Sequence, residues 1–533
     1  MSADMSNNSR MKIDYIILFV IFIIFATNSI LWIKKDIAPP TWDESHHLIL
    51  SLKYYNVITN INSDFFWKVM DSYTRDTLYY TPIYPPFFHL ATTPLYMIFG
   101  TSEDSAVMIN ILFVGIMIFS IYKIGTFLFN RETGLLSAFL AVSYAFTNMA
   151  STQYLIDMAL VSIVSLSIWL LLSSKNFTSR KYSILFGISF GLGMLTKAPY
   201  IFFLLGLLTF VSVAAIRTLF GHKDNLTRRK IIINIILFLV IGSILTLAWY
   251  IPNLDEEIKE LRVGVISGAL QGKPEIFTID SLMWYPRVLI SHGIGSILLF
   301  IPFVIGLIVA ISQRRSIYLL LWILVPYVFF TLTPTKDIRY IAPTLPAMAI
   351  LSSFWIFTLK NRMIKTGIIL LVIIFSSIQF YMAYYNADIS GKYIQNITIF
   401  RWVDKPVTDD WRVEDILDKI YQDTDKNIPK ILVLADMPYF NKPVLTYYAY
   451  RKNYTFSMTD YAWSGNIQND LPYADYVITK TYPYESENTI KIGNLNRSVE
   501  YFYNNTRDFK VIYDTSLPDN STAYIYKRSK ISK

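Results

Sequence analysis

Two adjacent carboxylates and two adjacent imidazoles stand in the stretch Pro39-Pro40-Thr41-Trp42-Asp43-Glu44-Ser45-His46-His47. It follows the apolar run Ile16 to Ile33 by a few residues, in a chain of 533 residues of which only 16% are charged. Three kinds of chemistry suit such residues. Asp43 and Glu44 are either solvated loop carboxylates, oxygen ligands for a divalent cation such as Mg or Mn, or a general base whose basicity is raised by desolvation. The histidines are a poor metal pair, because adjacent side chains do not point the same way and the chain has five His in all. We read them as loop residues.

A second acid bears on the choice. Asp157 opens the strongly apolar segment "STQYLIDMALVSIVSLSIWLL", and a carboxylate there is costly unless it has a function. Cations recur in similar settings: Lys197 in "GMLTKAPY", Lys336 and Arg339 with Tyr340 in "TPTKDIRYIAPTLPA", and Arg287 in "SLMWYPR". Each alone reads as a snorkelling or interfacial cation. Gathered on one face they would form a cationic collar suited to a phosphate anion.

The elements that must position these residues are membrane spans. The chain is 53% hydrophobic, has positive mean hydropathy, and is short of the roughly 25% charged residues usual in soluble domains. Runs long enough to span lie near 12–33, 105–123, 133–150, 154–173, 181–197, 199–216, 231–251, 289–311, 317–332, 341–359 and 366–383. The fold class is therefore mainly α, a polytopic membrane protein of about 11–13 transmembrane helices, and the first run is a retained helix with a cytoplasmic N-terminus. With eleven spans, the basic clusters Arg10/Lys12, Lys123/Arg131, Lys175/Arg180/Lys181, Arg217 to Lys230, Arg314/Arg315 and Lys360/Arg362/Lys365 all fall on one side, as the positive-inside rule requires. The net charge of +9 is thus a matter of topology, and nucleic acid is not an expected partner.

That parity places outside a first loop over 34–104, an acidic loop over 252–288 (Asp255, Glu256, Glu257, Glu260), the turn before Arg339, and everything after 383. Asp43, Asp157, Lys197 and Arg339 share the outer face. "YPPFFHLATTPLYMIFG" (84–100) is too short to span and reads as an interfacial helix. Residues 1–383 make a transmembrane domain and 384–533 a soluble extracytoplasmic α/β domain. There "DDWRVEDILDKIYQ" reads as an amphipathic helix, "KILVLAD" and "ADYVITK" as strands, and "FKVIYDTSLPDNSTAYIYKR" as a hairpin. Sequons at Asn396, Asn453, Asn496, Asn504 and Asn520 agree with an outer location. There is no cysteine, and the Walker, Gly-x-Gly-x-x-Gly and Gly-x-Ser-x-Gly patterns are absent.

In order, "TWDESHHL", "YPPFFHLATTPLYMIFG", Asp157, "GISFGLGMLTKAPYIFFLLG", "LAWYIPN" and "KDIRYIAPTLPAMAIL" resemble the motifs of type C integral-membrane glycosyltransferases, in the branch of protein O-mannosyltransferases and lipid A aminoarabinose transferases. The resemblance covers about residues 12–360. It implies an enzyme that moves a sugar from a polyprenyl- or dolichyl-phosphate donor to a protein, glycan or lipid acceptor at the outer face of the cell membrane. It further implies that Asp43, with Glu44 beside it, activates the acceptor, that Asp157 is the second acid, and that Lys197 and Arg339 hold the donor phosphate. Where aminoarabinose transferases carry a lysine, this chain has Tyr84 before Pro85-Pro86, which favours a hexose. The competing class is a transporter or flippase for lipid-linked glycans, which would place its charges near the midplane and show internal repeats. A non-catalytic membrane scaffold would leave Asp157 and the Lys336–Arg339 cluster without a role.

Overall fold

The computed structural model describes residues 2–59, 84–221, 224–270, 273–385, 393–394, 397–400, 405–462, 466–481 and 489–529. Asn396, the 60–83 part of the first outer loop and the side chain of Glu260 lie outside the described residues. Every one of the eleven predicted runs contains an α-helix. Among the described residues seven helices are long and apolar enough to cross a membrane, and eight if Arg131–Ser143 and Ala145–Thr152, bent by 58°, form one span. The other three are Asp157–Ser173, Arg180–Met194 and Ile297–Ala310, of 17, 15 and 14 residues.

Two boundaries differ from the sequence reading. The run placed at 289–311 is interrupted: a π turn at Leu289–Gly293 precedes the Ile297–Ala310 helix. The segment 252–288 is largely not a loop. The helix Asn225–Leu270 runs on through Pro252 for 46 residues, about 70 Å at 1.5 Å per residue. Asp255, Glu256 and Glu257 therefore ride on a helix that extends beyond the apolar run.

Local signals explain the elements that carry the site. We label the helix Trp42–Thr59 α1. Thr41-Trp42-Asp43-Glu44 has the T-x-x-E spacing of a capping box: Glu44 Oε2 accepts from Thr41 N at 3.0 Å and from Thr41 Oγ1 at 2.6 Å, closing the open N-terminus. The short interfacial segment is helix α2, Phe87–Phe99, and α3 is Glu103–Leu128, capped by Ser102 through Ser105 N. The helix Asp157–Ser173 is α4. The chain breaks between Met194 and Tyr200, around Pro199, and puts Lys197 in the turn. Arg339 lies in the one-turn helix Ile338–Ile341, whose N-cap is Asp337. That turn is pinned from behind, where Trp322 Nε1 donates to Pro343 O at 2.8 Å.

The C-terminal region holds a five-stranded sheet. In chain order its strands are β1 (Lys430–Leu434), β2 (Ser457–Asp460), β3 (Tyr476–Lys480), β4 (Phe509–Ser516) and β5 (Thr522–Arg528). Their spatial order is β2-β1-β3-β5-β4. β1 is parallel to β2 and β3, and β5 is antiparallel to β3 and β4. The predicted helix forms at Val413–Asp423. The region docks on the first loop through Trp42 Nε1 to Asp436 Oδ1 at 2.5 Å, Ile37 N to Val407 O at 2.8 Å, and Arg451 to Glu103 at 2.7 Å.

The helix that follows Arg339, Leu345–Phe354, packs tightly on Ile297–Ala310. A Cβ on Gly306 would lie 1.9 Å from Leu351 O, a backbone atom that cannot yield without moving the helix. Gly306→Ala is expected to lower stability by about 1–3 kcal/mol, read as a drop in the unfolding midpoint of the protein in nanodiscs; an unchanged midpoint would contradict this packing.

Candidate active site

Asp43 stands in the first turn of α1, and Arg339 lies 296 residues further on. Arg339 Nη1 donates to Asp43 Oδ2 at 2.8 Å. The same guanidinium donates through Nε to Asp337 Oδ2 at 3.1 Å, and Asp337 Oδ1 in turn accepts from Arg339 N at 2.9 Å. Asp337 thus fixes both the backbone and the side chain of Arg339. The Asp43 side chain is still 47% exposed and that of Arg339 28%, so the pair is open to a ligand. Burial by the surrounding protein would push the Asp43 carboxyl up, but the Arg339 guanidinium holds it at about 2. Because this lies below the ordinary 3.8, the pair stabilises fully above that value and loses its contribution as pH falls through about 2.

A second ion pair lies beside the first. Lys197 Nζ donates to Asp157 Oδ1 at 2.9 Å, with Asp157 nearly fully buried at the start of α4. Lys197 also stands 5.9 Å from the centre of the Tyr340 ring, which stacks on Phe330. Asp157 is within electrostatic reach of Arg339, and Lys197 of Asp337. Four distant segments therefore bring Asp43, Asp157, Lys197, Arg339 and Tyr340 together, with Asp337 as the anchor. In this cluster three carboxylates face two cations.

The remaining predicted site residues are elsewhere. Glu44 adjoins Asp43 in sequence but is turned away: beyond capping α1 it accepts from Tyr154 N at 2.8 Å through Oε1. Lys336 is buried and donates to the carbonyls of Thr331 and Thr333 at 2.8 and 3.0 Å, closing the turn before Asp337. Arg287 is exposed and pairs with Asp280 at 3.1 Å. Of the four cations expected to form a collar, the structure brings Lys197 and Arg339 to Asp157 and Asp43. Asp43 and Glu44 diverge, and among the described residues no three His, Asp or Glu side chains come close enough to hold a metal ion. The described residues do not offer a divalent cation its usual cage of several oxygens.

The histidines are not loop residues, which corrects the reading of their segment. His46 and His47 sit on α1, and His47 Nδ1 lies 3.1 Å from Nε2 of His89 on α2, both side chains buried. Burial pushes His89 down to about 3 and His47 well below its ordinary value, so both are neutral and must be complementary tautomers. The pair clamps α1 to α2 behind Asp43. A second buried link does the same through Tyr154 OH to Thr92 Oγ1 at 2.7 Å and to Ser51. Tyr84 packs on His47 with ring centres 4.5 Å apart.

A different cluster stands at the other end of the first span. Arg131 grips buried Asp14 through two bonds of 2.5 and 2.6 Å, and Tyr122 OH donates to the same carboxylate at 2.7 Å. From Asp14 to Ile33 the helix rises about 29 Å, close to the thickness of a bilayer's hydrocarbon core.

Comparisons with known proteins bear on the fold that carries this cluster. Residues 84–249 match the family described as dolichyl-phosphate-mannose-protein mannosyltransferase. No curated protein matches the sequence significantly. Among solved structures, ArnT from Cupriavidus metallidurans in the apo state superposes with a TM-score of 0.58 at 12% identity, covering 98% of each chain. ArnT bound to undecaprenyl phosphate gives 0.57 at 14%, covering 95% of this chain and 97% of that one. The oligosaccharyltransferase AglB from Archaeoglobus fulgidus, in complex with an inhibitory peptide and a dolichol-phosphate, gives 0.54 at 12%, covering 97% and 74%. The chain is a multi-pass membrane protein with the type C glycosyltransferase fold, and the likeness to ArnT includes the C-terminal sheet region.

Carboxyls add to carbodiimides most readily when they can supply a proton, so the Arg339 contact makes a chemical prediction. Asp43 should resist labelling at about pH 5 in the wild-type protein and be labelled more in Arg339→Gln, where the cation that holds its carboxyl down is gone. Peptide mass spectrometry reads the difference; equal labelling would contradict the ion pair.

Proposed function

We propose that the protein is a membrane glycosyltransferase that moves a sugar, a hexose, from a polyprenyl- or dolichyl-phosphate donor to a hydroxyl or amide of a protein, glycan or lipid acceptor. The observation that carries this reading is the meeting of the Asp43–Arg339 and Asp157–Lys197 pairs at one end of the bundle. The likeness to ArnT bound to undecaprenyl phosphate and to AglB with dolichol-phosphate supports a lipid-phosphate donor.

The chemistry follows from the charges. Lys197 and Arg339 bind the donor phosphate and stabilise the charge that builds on it as the glycosidic bond breaks. A phosphate leaves already charged and needs little protonation. One carboxylate then suffices on the acceptor side. Asp43 takes the acceptor's proton as its nucleophile attacks the anomeric carbon, and a single displacement inverts that centre. Asp157 holds Lys197 in place, Tyr340 packs beneath the Lys197 ammonium, and the α1–α2 clamp fixes Asp43 relative to both. The C-terminal region, bonded to Trp42 next to Asp43, is placed to receive the acceptor. Arg10, Lys12, Lys123 and Arg131 gather at the far end of the first span, and by the positive-inside rule that end is cytoplasmic. The N-terminus is then cytoplasmic, and Asp43 and the C-terminal domain face outward.

The test is incubation of membranes carrying the protein with radiolabelled polyprenyl-phosphate hexose. Label is expected in an acceptor fraction, with Asp43→Asn reducing transfer by about 10²–10⁴-fold while the protein still folds. Lipid movement without transfer would replace the enzyme by a flippase, and near wild-type transfer by Asp43→Asn would remove the base.

A further inference from the structure

Asp43 is an awkward base as it stands. It spends its charge on Arg339, and a carboxylate held near 2 takes up a proton poorly at neutral pH. We propose that the donor phosphate competes with Asp43 for the Arg339 guanidinium, so that Asp43 is released to act on the acceptor only once a donor is seated. This rests on the reading of the site as one for a phosphate-bearing donor.

The geometry makes Asp43 the partner that yields. Arg339 already gives Nε and Nη2 to Asp337 and Nη1 to Asp43. The anionic oxygens of the donor's phosphodiester need the same planar donors, so one carboxylate has to give way. Asp337 cannot leave cheaply. It is the N-cap of the turn that carries Arg339 and contacts the guanidinium as well as the backbone. Asp43 belongs to a separate element, makes one contact to Arg339 and is the more exposed of the two, 47% against 31%. Charge points the same way. With three carboxylates already facing two cations, an added phosphate is admitted most readily if it takes over a cation that a carboxylate has held.

The order of events follows. Before the donor arrives, Asp43 is neutralised by Arg339 and cannot activate water or an acceptor. When the phosphate occupies Arg339, the Asp43 carboxylate loses its cation, its basicity rises, and it stands free beside the anomeric carbon. The device ties activation of the base to occupancy of the donor site.

The test is a double-mutant cycle on binding, with the full chain in nanodiscs and undecaprenyl phosphate as the probe. Asp43→Asn is expected to bind the probe roughly two- to fivefold more tightly than wild type, the range of a partly exposed ion pair. In an Arg339→Gln background the same change should have no effect, because the contested group is gone. Asp43→Ser serves as a second variant should the first fold poorly. Equal tightening in both backgrounds would mean simple repulsion between Asp43 and the phosphate and would overturn the competition. No tightening in the wild-type background would overturn it too, with donor binding itself intact. A wild-type protein that does not bind the probe would overturn the donor reading, and the competition with it.

Discussion

The contact between Asp43 and Arg339 is the constraint on which the rest of this site depends. A carboxylate on α1 and a guanidinium 296 residues away meet at 2.8 Å, and each is anchored from its own side. Arg339 is gripped by Asp337, and that turn is tied through Pro343 to Trp322. Asp43 rides on α1, which the Glu44 cap, the His47–His89 contact and the Tyr154 hydroxyl hold against α2 and the segment before α4. Most of the polar groups near the site serve this positioning. Few are left to touch a substrate, and those few are charged.

Charge in such a setting has to be paired. At the far end Asp14 and Arg131 satisfy each other almost completely, as expected for a buried structural pair. At the near end the Asp43 side chain is 47% exposed, and the cluster carries an excess of carboxylate. The difference separates a structural ion pair from a site that can exchange partners with a ligand.

Much of this was legible in the sequence. The apolar runs mark the helices because 1.5 Å per residue fixes how long a spanning run must be. The strands of the C-terminal sheet announced themselves through short apolar runs. Asp157 and Lys197 were visible as charges that apolar surroundings do not tolerate unpaired. Other features depend on long-range contacts and left no local trace. Nothing near His47 says that its partner is His89, and nothing in "TKDIRY" says that Lys336 turns inward to carbonyls while Arg339 turns outward. The role of Glu44 was legible but easily missed, since the T-x-x-E spacing marks a helix N-terminus as readily as a pair of catalytic acids. The extension of the helix through Pro252 and the π turn before Ile297 are decided by packing that local sequence does not encode.

In the reaction we propose, one base, Asp43, acts opposite one departing phosphate in a single displacement. The stereochemistry of the product tests this directly. With a polyprenyl-phosphate sugar of known anomeric configuration as donor, nuclear magnetic resonance of the purified product should show the opposite configuration at the new bond. Retention would require a covalent glycosyl intermediate or a second nucleophile, and would contradict the account.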